Sequence, residues 1–276
     1  MRLLKKIRKI IPSRILFSIY QLDYKYCDKK NKDEMKKLFD KQEKEGLSKI
    51  PIFLISFNRL SYIQSMIARL EKMHKTNIII IDNASTYPPL LDYYKKIPYK
   101  VFHLKKNYGY RVFWDCPEFK TYRNNFYMLS DPDVEPVEDC PEDFVERFFS
   151  LLKKYPFLRK VGFSLKIDDL PQDESFSSDV IKWEKKFYKG YRKEDMAFFA
   201  VIDTTFALYM PDSVATHRFG LALRTDFPYQ ARHMPWYKKS TDVTDEDRFY
   251  VQNKTNGWWN VVEGKMTPDK ETKKCL

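Results

Sequence analysis

The chain reads as an α/β domain built on a mixed, mostly parallel sheet flanked by helices, and three observations carry that reading. Short β-branched and aromatic runs, PIFLIS (51–56), NIIIID (77–82), YKVFHL (99–104) and FYMLS (126–130), are too apolar to face water on one side. Helix-period segments separate them. In SYIQSMIARLEKM (61–73), Tyr62, Ile63, Met66, Ile67 and Leu70 recur at helical spacing, and PLLDYYKK (89–96) follows the second run. Each run also ends in polar residues. Strands buried on both faces and alternating with helices make a mostly parallel sheet, and in such sheets ligands bind outside the carboxyl ends of the strands.

Those ends hold the candidate site. The first run ends in Phe57, Asn58 and Arg59, the second in Asp82 and Asn83, the third in the stretch from Asn107 to Arg111, and the fourth in Asp131-Pro132-Asp133. One crevice would collect them all. Two carboxylates two residues apart, where a buried strand emerges, can share a hard divalent cation directly or through its water; Mg²⁺ takes one or two protein carboxylates and completes its shell with phosphates and water. Mn²⁺ suits the same oxygens. Asp-Pro-Asp is also good turn material, since Pro presets φ and Asp bonds its own backbone.

With 276 residues the chain can bury a sizeable core in one domain. Its four cysteines, Cys27, Cys116, Cys140 and Cys275, show no CxxC spacing and no framework pattern, which fits a reducing cytoplasm. No apolar run is long enough to span a bilayer, and the start lacks the uninterrupted apolar core of a secretory signal. Walker A, HExxH and GxSxG motifs are absent, which removes the commonest NTPase, zinc-protease and α/β-hydrolase readings.

The net charge of +12 asks for an anionic partner and is unevenly placed. In the first twenty residues Leu3, Leu4, Ile7, Ile10 and Ile11 mark an apolar stripe that Ile15, Leu16 and Ile19 continue. Arg2, Lys5, Lys6, Arg8, Lys9 and Arg14 take other positions, and no acid precedes Asp23. A basic amphipathic helix of this kind can lie in an anionic membrane surface; the alternative is a helix packed on the domain, and Pro12 divides the segment into two short pieces. Residues 1–46 are therefore expected as this basic segment plus a charged linker, with 28–46 read as a solvated helix or linker, 47–265 as the catalytic domain and 266–276 as a flexible tail.

SFNR ending the first strand, IDNAS ending the second, NYGYR after the third and DPD after the fourth together resemble a glycosyltransferase of the GT-A (Rossmann-like) fold, most like the bacterial family 2 type, with DPD in the place of that family's DxD motif. The resemblance covers roughly 50–259, and IDDLP (167–171), IDTTFALY (202–209) and ARHMPWY (231–237) look like a bacterial subgroup. It implies transfer of a sugar from a nucleotide-diphosphate donor, UDP-linked, to a glycan or lipid-linked acceptor in surface polysaccharide or lipopolysaccharide synthesis, on the cytoplasmic face of the membrane. Asp131 and Asp133 would hold the cation, with His233 as a third ligand; the alternative for His233 is a hydrogen-bonding histidine beside Trp236 and Tyr237.

The resemblance further implies that Asp82 accepts from the donor's base or ribose, where an Asx-turn at Asp82-Asn83 is equally compatible. Phe57, Asn58 and Arg59 would line the nucleotide pocket. Arg111 would reach the diphosphate from a turn supported by Asn107 and Gly109, or else pair with a surface carboxylate. Family 2 enzymes generally invert, which calls for a carboxylate base. Asp203, interrupting the apolar run FFAVIDTTFALYM (198–210), is preferred over Asp169, because a buried acid without purpose is costly; a structural acid bonded to Thr204 and Thr205 is the alternative. Asp245, Glu246 and Asp247 read as a charged helix start and are set aside. Trp183, Tyr209, Trp236, Tyr237, Trp258 and Trp259 could stack on a sugar or serve the core.

Two other classes stay open. A sugar-phosphate nucleotidyltransferase would also use a metal and carboxylates, but SFNRLSYIQ has no glycine to cradle a triphosphate. A nucleic-acid-binding module would explain charge and aromatics, yet no zinc spacing or RNA-binding signature is present, so no nucleic-acid partner is expected.

Overall fold

The computed structural model describes residues 12–26, 28–171, 177–202, 206–213, 221–254 and 259–268. Two helices, α1 (Ser13–Lys25) and α2 (Lys29–Glu45), lead into β1 (Ile52–Ser56), α3 (Leu60–Lys72), β2 (Ile78–Asp82), α4 (Pro88–Tyr94), β3 (Lys100–His103), a short α5 (Val112–Asp115) and β4 (Tyr127–Ser130). Then follow β5 (Val134–Pro136), α6 (Phe144–Lys154), β6 (Lys160–Leu165), α7 (Ser177–Glu184), β7 (Tyr191–Arg192), β8 (Ala197–Phe199), β9 (Ala207–Tyr209), β10 (Ala222–His233), α8 (Asp245–Asn253) and the hairpin β11 (Trp259–Val262) and β12 (Lys265–Pro268).

The main sheet has the order β3-β2-β1-β4-β9-β6-β10-β8-β7, with β5 on the end of β10. β3, β2, β1 and β4 are mutually parallel, as are β6 and β10, while β9, β8 and β5 run the other way. The fold is therefore α/β with a mostly parallel mixed sheet flanked by helices. After β1 the chain steps to β2 and β3 on one side and then returns to β4 on the other. That reversal puts a topological switch point at the carboxyl ends of β1 and β4, the place where sheets of this kind bind ligands.

Alternation along the strands divides the core. Ile52 and Leu54 of β1, Ile78 and Ile80 of β2 and Met128 of β4 enter one cluster; Phe53, Ile55, Ile79, Ile81, Tyr127 and Leu129 enter the other. Side chains of successive residues point to opposite faces, so burial on both faces demands an unbroken apolar run. α3 contributes Ile63, Met66, Ile67 and Leu70 and α6 contributes Phe144, Phe148 and Leu152 to the first cluster. β6 passes so close to β9 that a Cβ at Gly162 would lie 2.4 Å from the Phe206 carbonyl oxygen, which leaves glycine as the residue that fits.

Three expectations change and one narrows. β3 is the edge strand, with Lys100 and His103 exposed, so it is not buried on both faces. FFAVIDTTFALYM is not one strand: β8 pairs with β10 and β7, whereas β9 pairs with β4 and β6. Asp203, with Thr204 and Thr205, falls between them, outside the described residues. The charged stretch 28–46, expected as a solvated helix or linker, is the helix α2, opened by Asp28 accepting from Asn31 N (3.0 Å) and anchored by Phe39 packing on Phe126 and Phe149. Finally, 266–268 belong to β12, in a hairpin whose Glu263-Gly264 turn has φ of 50° and 72°, the left-handed pair of a two-residue turn. Residues 269–276 lie outside the described residues.

Candidate functional site

The turn Asp131-Pro132-Asp133 leaves β4 and is closed by Val134 N donating to the Asp131 carbonyl (3.4 Å). The chain then enters β5, which pairs antiparallel with the end of β10: Val134 opposite His233, Glu135 opposite Arg232, Pro136 opposite Ala231. Met234 N donates to the Asp133 carbonyl (2.8 Å). This register brings together two side chains a hundred residues apart in sequence. His233 Nε2 lies 3.6 Å from Asp133 Oδ2, too far for a hydrogen bond. Asp133 Oδ1 and His233 Nδ1 are both buried without any partner.

Buried polar atoms are normally paired, so each exception asks for a cause. Ser56 Oγ and Asn58 Nδ2, at the end of β1, are likewise buried without partners. Along the carboxyl edge of β1, the β4–β5 turn and the end of β10 there are thus four polar atoms with unused bonding capacity. Burial lowers the His233 pKa, against the opposing fields of Asp133 and Glu184. The imidazole is kept neutral, with a lone pair available for a metal or a proton. Its ring rests on Trp236, 4.6 Å between centroids.

Asp133 and His233 fit as ligands of a divalent cation whose remaining positions go to phosphate and water. Asp131, at the other end of the same turn, is the further side chain expected at the cation; among the described residues no three His, Cys, Asp or Glu side chains already form one metal-holding group. Asp131 and Asp133 do share a neighbour, since burial raises the Tyr250 hydroxyl pKa and both carboxylates push it further, against the lowering effect of Arg59. Burial raises Tyr62 in the same way, with Asp133 contributing. Both phenols therefore face the carboxylates as neutral O–H groups.

The other expected ligand-binding side chains make structural bonds, Asn58 through its oxygen only. Asp82 accepts from Ser85 N (3.0 Å) through Oδ1 and meets His103 Nδ1 (2.9 Å) through Oδ2; the first bond closes the loop three residues on, one residue longer than the expected Asx-turn. Asn83 donates to Asn107 Oδ1 (2.8 Å) and the Gly109 carbonyl (3.1 Å) and accepts from Tyr108 N (2.9 Å). Asn107 Oδ1 also takes Gly109 N (2.7 Å), and Gly109 sits at φ 69°, where glycine is unstrained. Asn58, at φ 52°, accepts from Thr86 N (2.7 Å) and Tyr87 N (3.0 Å), tying the end of β1 to the loop before α4.

Arg111 meets the second of its two expectations, a surface carboxylate. It pairs with Asp115 on the surface, at 3.0 and 3.1 Å, one helical turn away. Arg59 is buried and points to α8, where its guanidinium bonds Asp247 and lies 4.1 Å over the Tyr250 ring and 5.4 Å over Tyr62. Phe57 touches the same Tyr250 edge-on at 6.3 Å. Asp169 has both oxygens engaged, by Arg232 (2.7 Å) and Tyr237 (2.7 Å); burial would raise its carboxyl, but these bonds outweigh it and hold the pKa below the usual range. A carboxylate so occupied is a poor base. Among the aromatic candidates Tyr209 belongs to the core, stacked on Tyr127, whereas Trp258 and the Trp259 side chain lie outside the described residues.

The acid group set aside in the sequence does more than begin a helix. Thr244 and Asp247 form the capping box of α8. Asp247 also holds Arg59 and Lys238, and although burial would raise its carboxyl, these partners and Thr244 drive it far below the ordinary range. Glu246 accepts from Leu60 N (2.8 Å), Ser61 N (2.9 Å) and Ser61 Oγ (2.6 Å). It supplies the N-terminal cap of α3, whose own Arg59 makes none. Thr244-x-x-Asp247 was legible as a cap; its link to Arg59 spans 188 residues and had no local signal.

No protein-family model matches the chain, and no curated protein matches it in sequence.

Proposed function

We propose that the protein is a metal-dependent, inverting glycosyltransferase of the GT-A type. It would move a sugar from a nucleotide-diphosphate donor, UDP-linked, to a glycan or lipid-linked acceptor in bacterial surface polysaccharide synthesis, at the cytoplasmic face of the membrane. The observation that carries this reading is the pair Asp133 and His233, 3.6 Å apart with buried unpartnered atoms on both side chains, beside the switch point of a mostly parallel sheet. Together they would hold Mn²⁺ or Mg²⁺, which acts as a Lewis acid on the departing diphosphate. Ser56 Oγ and Asn58 Nδ2 offer a hydroxyl and an amide donor to the nucleotide on the neighbouring strand end.

Arg59, clamped by Asp247 and stacked on Tyr250, fixes the wall of this crevice and leaves direct phosphate contact to other groups. Asp203 is the candidate base that takes the acceptor hydroxyl's proton; Asp169 is held by Arg232 and Tyr237. Calorimetry of the purified protein with UDP, GDP, CMP and TDP, each with and without Mn²⁺, tests the reading. Binding of one nucleotide only with metal is the expected result, since a ligand of the native state also raises its melting temperature. Binding of none of them in either condition would overturn it. Asp203→Asn should leave nucleotide binding intact and slow transfer by about 10²–10⁴-fold; unimpaired transfer removes Asp203 as the base.

A further inference from the structure

α1 has two apolar faces. Inward, Phe17 is fully buried and meets the rings of Tyr155, Phe157 and Phe199 at 5.0, 5.1 and 5.1 Å, with the Arg192 guanidinium 3.7 Å above it, while Leu16 and Tyr20 pack beside it. Those contacts fasten the helix to the domain. Outward stand Ile15, Ile19, Leu22 and, just past the helix, Tyr26, exposed by 54, 45, 51 and 80 %. Positions i, i+4, i+7 and i+11 lie on one line along a helix. The other large exposed apolar side chains among the described residues, Tyr110, Met196, Phe227 and Val262, fall in four separate segments. The sequence stripe that grouped Leu16 with Ile15 and Ile19 is thus split, Leu16 facing the core and its neighbours facing out.

Charge in the adjoining sequence says what the line meets. Arg2, Lys5, Lys6, Arg8 and Lys9 precede α1, Arg14 and Lys25 belong to it, and Asp23 is the first acid of the chain. Before Pro12, Leu3, Ile7 and Ile11 recur in steps of four within the basic stretch of sequence that lies outside the described residues. An apolar line accompanied by cations suits a bilayer interface with anionic headgroups. A second copy of the same face would set like charges against each other.

We propose that the outward line of α1 is the docking surface for an anionic lipid bilayer, with Ile15, Ile19, Leu22 and Tyr26 entering the boundary between headgroups and acyl chains. Because the opposite face is packed into the core, attachment holds the domain in one orientation on the surface. The inference stands independently of the catalytic reading.

The test is sedimentation of the full chain with vesicles of phosphatidylcholine alone and with about a third phosphatidylglycerol, an anionic fraction that sets a negative surface potential, at low and high salt. Binding to the anionic vesicles only, weakened by salt, is expected. Ile19→Asp with Leu22→Asp should weaken it by at least about tenfold at an unchanged melting temperature, as should Ile19→Asn with Leu22→Asn, which keeps the charge constant and isolates apolar insertion. Absence of wild-type binding, full binding by the Asn pair, or a wild-type dimer that the substitutions split while vesicles bind nothing would each overturn the proposal.

Discussion

At the end of β2, Asp82 and Asn83 have their side-chain oxygens and the Asn83 amide engaged by Ser85, His103, Tyr108, Asn107 and Gly109; at the β4–β5 turn and the end of β10, Asp133 and His233 each keep a buried atom without a partner. Both clusters are polar residues at the carboxyl edge of one sheet. They differ in how they are assembled. The β2 cluster draws its partners from within about thirty residues, by turns that satisfy themselves. The other is set by the β5–β10 register, which fixes two side chains face to face without giving them a bond. Substitution should therefore separate them, with stability lost where the polar atoms are paired and ligand binding lost where they are not.

The largest effect belongs to the most tightly paired group. Asp247→Ala removes the carboxylate from Arg59, Lys238 and the α8 cap, and denaturant unfolding should show a loss of about 3–5 kcal/mol, the cost of leaving a buried partner charge uncompensated. The pH dependence follows. The folded pKa of Asp247 is depressed, so its contribution is complete above the unfolded value of about 3.9 and falls away as pH drops below it. The acid limb of the stability curve should be shallower in the variant.

Asp133→Ala makes the opposite case. Metal-dependent nucleotide affinity should fall by at least about a hundredfold, beyond the 10–100-fold typical of removing an outer-shell partner, while stability changes by less than about 1 kcal/mol because the lost oxygen had no bond to lose. A large drop in melting temperature instead would place Asp133 with the structural acids. Asp82→Asn should cost about 1–2 kcal/mol through the His103 contact and keep the metal requirement of nucleotide binding, read by calorimetry with and without Mn²⁺. Arg111→Ala should be the smallest, about 0.3–0.5 kcal/mol, for an exposed pair one helical turn apart; a strong loss of nucleotide affinity there would return Arg111 to the crevice.

Much of the frame was legible in the sequence. The runs at 52–56, 78–82 and 127–130 had to be central strands because their apolar residues face both ways, and Ile63, Met66, Ile67 and Leu70 marked the buried side of α3. Polar residues at the strand ends located the edge that matters. What could not be read was which of them already had partners. Nothing local distinguishes Arg59, held by an acid 188 positions away, from an arginine free to meet phosphate, and nothing in FFAVIDTTFALYM announces that its two halves join different strands. Likewise, helical spacing marked Ile15, Leu16 and Ile19 as apolar but could not say which faced the core, since both faces of α1 carry apolar residues.

The central claim is that Asp133 and His233 form the cation site of a nucleotide-binding crevice, and titration of Mn²⁺ followed by the electron paramagnetic resonance signal of the free ion, with and without UDP, tests it most directly. One tight equivalent of Mn²⁺ in the presence of nucleotide, lost in both Asp133→Ala and His233→Ala at unchanged melting temperature, is the expected result. Equal Mn²⁺ binding by the wild type and both variants would contradict the assignment and move the metal, or the chemistry, elsewhere in the molecule.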